Sequence, residues 1–118
     1  MFNCSLHTEG PLKIMAIIDI LVTCPDRPLA MRIAEALVGE RLAACASIGG
    51  SVTSLYRWRG AVEQAEEVSL LLKTRAERFS EAAARIRSLH PYETPCIIAT
   101  PIVAADPDYE AWVEAETR

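Results

Sequence analysis

Apolar residues along the chain change their period several times, and each change marks an element. From Ala16 to Thr23 they form a near-continuous Ile/Leu/Val run broken only by Asp19, the pattern of a buried strand. Beyond Cys24-Pro25-Asp26-Arg27-Pro28 the apolar positions become Ala30, Ile33, Ala34, Leu37, Val38 and Leu42, the stripe of a helix lying on a sheet. Asp26 is placed to cap that helix, and Pro28 is tolerable in its first turn. From Ala44 to Trp58 the period drops to two, with Gly49-Gly50 predicting a bulge and Arg59-Gly60 a tight turn. Val62 to Lys73 is the returning strand. Thr74-Arg75-Ala76-Glu77 fits a capping box and predicts the start of a second helix, whose stripe is Phe79, Ala82, Ala83, Ile86 and Leu89 or His90 and which Pro91 stops. Ile97 to Val103 is the fourth strand, and Asp106-Pro107 opens a last helix carrying Tyr109, Trp112 and Val113.

With right-handed crossovers, the order β-α-β-β-α-β plus a terminal helix predicts an α+β, ferredoxin-like sandwich. One domain is expected over 15–118. Residues 1–14 show no period and are expected to be a disordered leader, with Cys4 and His7 weak metal candidates at best. The central hairpin is unusual. Its strands are about twice the usual five to six residues. Two helices of about 15 residues cannot cover it, because a helix rises about 1.5 Å per residue and a strand about 3.3 Å. Bare, its far end would expose Leu55, Tyr56, Trp58 and Val62, so a closed homo-oligomer is expected to cover them.

Composition narrows the function classes. A formal net charge of −4 with no basic run argues against a nucleic-acid partner. No apolar run approaches the roughly 20 residues of a membrane span, and no secretory signal is present, so a cytoplasmic protein is expected. The four cysteines match no zinc spacing and form no CxxC pair, which suits free thiols in a reducing compartment.

Several stretches together resemble one family. They are Leu21-Val22-Thr23-Cys24-Pro25-Asp26, Glu40-Arg41-Leu42-Ala43-Ala44-Cys45, Ser54-Leu55-Tyr56-Arg57-Trp58-Arg59-Gly60 and His90-Pro91-Tyr92-Glu93-Thr94-Pro95, followed by Asp108-Tyr109-Glu110-Ala111-Trp112. In that order, over essentially all of 16–118, they resemble the CutA divalent-cation tolerance proteins. The resemblance implies a ferredoxin-like protomer in a stable homotrimer, a cytoplasmic role in tolerance of copper and other divalent cations, and no assigned reaction. It also implies a trimer shaped like the PII signalling proteins, which opens an alternative: a signalling or scaffold trimer holding a small anionic ligand between subunits near Lys73 and Tyr92. The sequence departs from the family pattern at Ser47 and Cys96. Copper ligands attributed to the family fall on Val22, Leu89 and His90, and only His90 can ligate.

His90 is therefore the first metal candidate, with Glu93 and Cys96 close enough in sequence to complete a site. Imidazole with sulfur favours copper or zinc over magnesium. The competing reading of His90 is a residue satisfied at the negative end of a helix. Tyr56, Trp58, Glu67, Lys73 and Tyr92 are the candidates for an inter-subunit cleft, against the plainer alternatives of aromatic packing and a structural ion network. Glu63, Glu66 and Glu67 form an acidic cluster of the kind that is usually solvated. Cys24, at a strand end before a helix start, could be a low-pKa thiolate paired with His90, but no third orienting group is evident and an enzyme is not expected. Cys45, between Ala44 and Ala46, reads as a small core residue.

Overall fold

A computed structural model describes residues 16–118; the leader expected over 1–14 lies outside the described residues. In chain order the elements are β1 (Ile17–Cys24), α1 (Arg27–Gly39), β2 (Cys45–Trp58) and β3 (Ala61–Arg75), then a 3-10 turn (Ala76–Arg78), α2 (Phe79–Leu89), β4 (Ile97–Pro101) and α3 (Pro107–Glu116). The sheet is antiparallel, ordered β2-β3-β1-β4. This is the expected α+β, ferredoxin-like order.

The core follows from strand alternation. Ile18, Ile20, Val22 and Cys24 of β1 and Leu70 and Leu72 of β3 face Leu29, Ile33 and Leu37 of α1 and Ala82 and Ile86 of α2. Each such aliphatic side chain contributes about 1.5–3 kcal/mol by leaving water. The alternate residue Ile17 faces the other way and is covered by Val113 of α3, with Ala44, Ile102 and Ala105 around it. Thus α1 and α2 cover one face of the sheet, and α3 covers only one end of the other. The remainder of that second face carries a cross-strand row, Leu71–Leu21–Ile98, set side by side by the strand register. Leu21 and Leu71 are half-buried and Ile98 is exposed.

Helix ends show local chemistry at work. Asp26 Oδ1 accepts from the Leu29 N–H at 2.9 Å, as its position predicts. Helix α1 ends at Gly39, three residues before the expected Leu42, because Arg41 takes a left-handed φ of 63°. Leu42 N–H then reaches Leu37 O at 2.9 Å and Arg41 N–H reaches Val38 O at 3.2 Å, a Schellman ending with arginine where glycine is usual. The capping box does not form. Thr74 is still in β3, opposite Ile18, with its hydroxyl buried and without a hydrogen-bond partner among the described residues. Sheet pairing outcompetes the local signal, and Glu77 instead accepts from Arg75 at 2.7 Å. Strand β4 also ends early, at Pro101 rather than Val103; one further bond, from Ile102 N–H to Ile17 O at 3.2 Å, follows before the chain turns toward α3.

The long hairpin is present. β1 ends at Cys24 opposite Val68, and from Val52↔Glu67 to Trp58↔Ala61 the two central strands continue with no third strand beside them among the described residues. Those seven residues of β2 extend about 23 Å at the usual strand rise. A register shift between Ile48 and Ser51 marks the predicted bulge. A Cβ on Gly49 would sit 2.5 Å from Ser69 Oγ, which is why a residue without one stands there. The turn at the tip has φ of 51° at Arg59 and 85° at Gly60, both left-handed as two-residue hairpin turns require. Leu55 and Val62 on this arm are 66% and 61% exposed.

Candidate functional site: the cavity at the base of the arm

Where the hairpin leaves the body, the loop from His90 to Cys96 comes round the end of β1 and faces the arm. Between them lies a cavity of about 730 Å³. Tyr56 and Trp58 line it from β2, Glu67 from β3, and Tyr92, Glu93 and Cys96 from the loop. Four of the five residues expected in a cleft are therefore brought together: Tyr56, Trp58, Glu67 and Tyr92.

Lys73 is not among them. It lies six residues along β3 from Glu67, about 20 Å at strand rise, and its ammonium is 3.1 Å from Asp19 Oδ1. That contact is an ion pair rather than a hydrogen bond, since Oδ1 is buried without a hydrogen-bond partner among the described residues. The register places Asp19 and Cys45 on either side of Lys73, so strand pairing decides its partner.

Tyr92 is held on both sides. Its hydroxyl donates to Glu67 Oε2 at 2.9 Å, and its ring packs at 4.6 Å and 59° on the His90 ring. Burial, followed by the hydrogen bond to Glu67 and the charge of that carboxylate, pushes the phenol up to about 12. Glu67 is only 7% exposed. The acidic cluster is thus divided, with Glu67 inside, Glu63 exposed, and Glu66 accepting from Thr53 Oγ1 at 2.7 Å on the surface.

The metal candidates His90, Glu93 and Cys96 do not converge. His90 Nε2 lies 2.9 Å from Thr23 O, and the Tyr92 N–H points at Nδ1 at 3.3 Å. A carbonyl only accepts and an amide N–H only donates, so Nε2 carries the proton and Nδ1 is the acceptor. Neither nitrogen has a lone pair left for an ion. This is the plainer reading of His90: a buried residue that ties the end of α2 to β1 and positions Tyr92. Glu93 Oε1 is 2.8 Å from Arg59 Nη2, and that guanidinium stands 5.1 Å above the Trp58 ring. Cys96 is exposed. Among the described residues no three His, Cys, Asp or Glu side chains gather as an ion would need.

The thiols also differ from expectation. Cys24 is fully buried, and burial, with the charges of Asp26 and Glu67, pushes it up to about 11. It is the reverse of the reactive thiolate that its place before α1 suggested; burial outweighs the helix end. His90 gives its proton to Thr23 O and not to this sulfur. Cys45 is not in the main core. It is half-buried on the opposite face under α3, where its sulfur lies 3.4 Å from Tyr109 Oη. That contact, with burial next, pushes Tyr109 up to about 12.

Residues 18–116 match the family model described as CutA1 divalent ion tolerance protein. The chain belongs to the CutA1 family. A relative from Thermus thermophilus, called divalent-cation tolerance protein CutA, is 43% identical over 98 residues, covering 83% of this chain and 95% of its own. The protein of the same name from Escherichia coli is 38% identical, covering 87% of this chain and 92% of its own. The crystal structure of CutA from Xylella fastidiosa superposes with a TM-score of 0.84 at 40% identity, covering 87% of this chain and 99% of that one. These likenesses place the fold and the family. The cavity was partly legible in sequence, in the aromatic and acidic positions of the hairpin. Arg59, which sequence alone would leave solvated or paired across a subunit interface, instead pairs within the chain with Glu93, the one acidic residue of the loop after His90.

Proposed function

We propose that this chain is a homotrimeric divalent-cation tolerance protein of the cytoplasm that acts by binding and not by catalysis. The observation that carries the reading is uncovered apolar surface on both faces of the sheet: the Leu71–Leu21–Ile98 row on the face away from α1 and α2, and Leu55 and Val62 on the opposite face of the bare arm. An apolar surface of this extent is covered in a stable protein, and a symmetric assembly covers all copies at once. Family membership supports the tolerance role. The free thiols Cys24, Cys45 and Cys96 suit a reducing compartment. Since His90 is engaged, a divalent ion is held between subunits, with Glu93 and the soft thiol of Cys96 as this chain's donors. Light scattering after size exclusion tests the assembly: three times the 13.0 kDa of one chain is expected, and a monomer at micromolar concentration overturns it. Calorimetry with Cu²⁺ tests the metal, with binding lost in Cys96→Ser and kept in His90→Ala; the converse pattern overturns the donor assignment.

A second reading is favoured by the cavity itself, whose volume of about 730 Å³ falls in the range of small-molecule sites. It is a PII-like trimer that holds a small ligand beside the arm. Lys73 takes no part, which removes the cation on which an anionic ligand was expected to sit. A ligand-dependent rise in melting temperature is the expected sign.

A further inference from the structure

The cavity's chemistry is that of a receptor for a positively charged ligand. Its walls are rings: Tyr56 and Trp58 from the arm and Tyr92 from the loop. Aromatic faces attract cations through their quadrupole, and these three rings, 44%, 37% and 37% exposed, do so from a partly solvated surface. Its deepest charge is negative. Glu67 is 7% exposed, and its one hydrogen bond from the described residues is the Tyr92 hydroxyl at 2.9 Å. No Lys, Arg or His among the described residues forms an ion pair with it, although a buried carboxylate normally calls for such a partner. The second lining carboxylate, Glu93, sits at the rim. Arg57 is the basic lining residue, but it is exposed, where water screens it.

The chain itself already sets a cation on one of these rings. The Arg59 guanidinium already lies 5.1 Å over the Trp58 ring while pairing with Glu93 at 2.8 Å. It bridges the arm and the loop across the mouth. Both partners of that pair are about 70% exposed, 70% and 68%, so the clasp is weak and an incoming cation can displace it.

We propose that this cavity binds a small organic cation, an alkylammonium or quaternary ammonium group, with Glu67 as its counter-charge, the rings of Tyr56, Trp58 and Tyr92 as its walls, and Arg59 as a displaceable stand-in. The inference rests on the second reading above and gives that ligand a charge and a class. In the proposed trimer the cavity lies beside the covered arm, so binding is measured on the assembled protein, and the mass of the same sample is a separate readout.

The test uses the full chain carrying Trp112→Phe, so that Trp58 alone reports by fluorescence. The probes are choline, its neutral carbon isostere 3,3-dimethylbutan-1-ol, and acetate. Choline is expected to give a saturable change, the isostere to bind at least tenfold more weakly, and acetate to give none. Glu67→Gln is expected to abolish the preference for choline over the isostere, and Arg59→Ala to tighten choline binding by freeing the ring. Should Glu67→Gln fail to fold, calorimetry on Trp58→Ala, an exposed arm position, is expected to show at least a tenfold loss. Equal binding of choline and its isostere, saturable acetate binding, or no saturation by choline overturns the proposal.

Discussion

Strand β3 passes from body to arm at Val68, and the two sides of that point meet water differently. On the body side Leu70 and Leu72 are fully buried under two helices. On the arm side Val62 stands 61% exposed, paired among the described residues on one edge only. The same pleated strand pair thus serves once as core and once as projecting surface. Burial within the chain stabilises the fold; apolar surface left outside it stabilises what the chain docks against. In the proposed trimer, stability and assembly would therefore be separable, carried by different stretches of two strands.

The largest effect belongs to the body. Leu72→Ala is expected to cost about 2–5 kcal/mol in urea denaturation, while Val62→Ala changes body stability by less than about 0.5 kcal/mol. Similar costs would break the comparison. Next, Leu55→Asp is expected to weaken the proposed trimer at least tenfold, or about 1.4 kcal/mol, in sedimentation equilibrium, with unchanged far-UV circular dichroism. A loss of secondary structure would make the arm part of the body.

The junction gives a smaller effect. Gly49→Ala is expected to cost about 1 kcal/mol, since its new methyl displaces Ser69 Oγ, and most of that cost disappears in a Ser69→Ala background. Additive costs would show that the backbone of the bulge, and not this contact, requires glycine. At neutral pH the smallest effect is the ionisation of the thiol at the junction. Cys24 is raised from 9.0 to about 11 in the fold, so its stabilising contribution is complete below pH 9 and is lost as pH rises through about 11. Tyr92, raised from 10.0 to about 12, adds a second step above that. Iodoacetamide at pH 8 should label Cys96 and spare Cys24, and Cys24→Ala should remove the first step of the alkaline decline.

Element order was legible because each element carries its own period, and the bulge and tip were legible because glycine marks them. What failed were signals that tertiary pairing overrides. Thr74 has the residue spacing of a cap, but Ile18 holds it in the sheet. Lys73 alternates in phase with Glu67, but Asp19 across the strand claims it. Half the cavity could be read from Tyr56, Trp58 and Glu67, which share alternating positions on one hairpin. The other half comes from a loop 25 residues further on, where the Tyr92–Glu67 bond depends on how the chain returns past β1. Nothing local distinguishes a histidine with both nitrogens engaged from one free to bind an ion. That difference lies in Thr23 O and in the Tyr92 N–H.

The last turn of the chain has a kinetic meaning. Arg75 and Arg78 converge on Thr117 O, with Nη2 of Arg75 at 2.6 Å and Nε of Arg78 at 2.8 Å, and so seat α3 over Ile17. Ile17 opens the first strand, yet its cover comes from the final helix, almost the whole described length away. That residue is fully covered only once α3 docks, bringing Val113 onto it beside Ala44, Ile102 and Ala105. Contacts so distant in sequence form slowly, so the seating of α3 is expected to come late in folding.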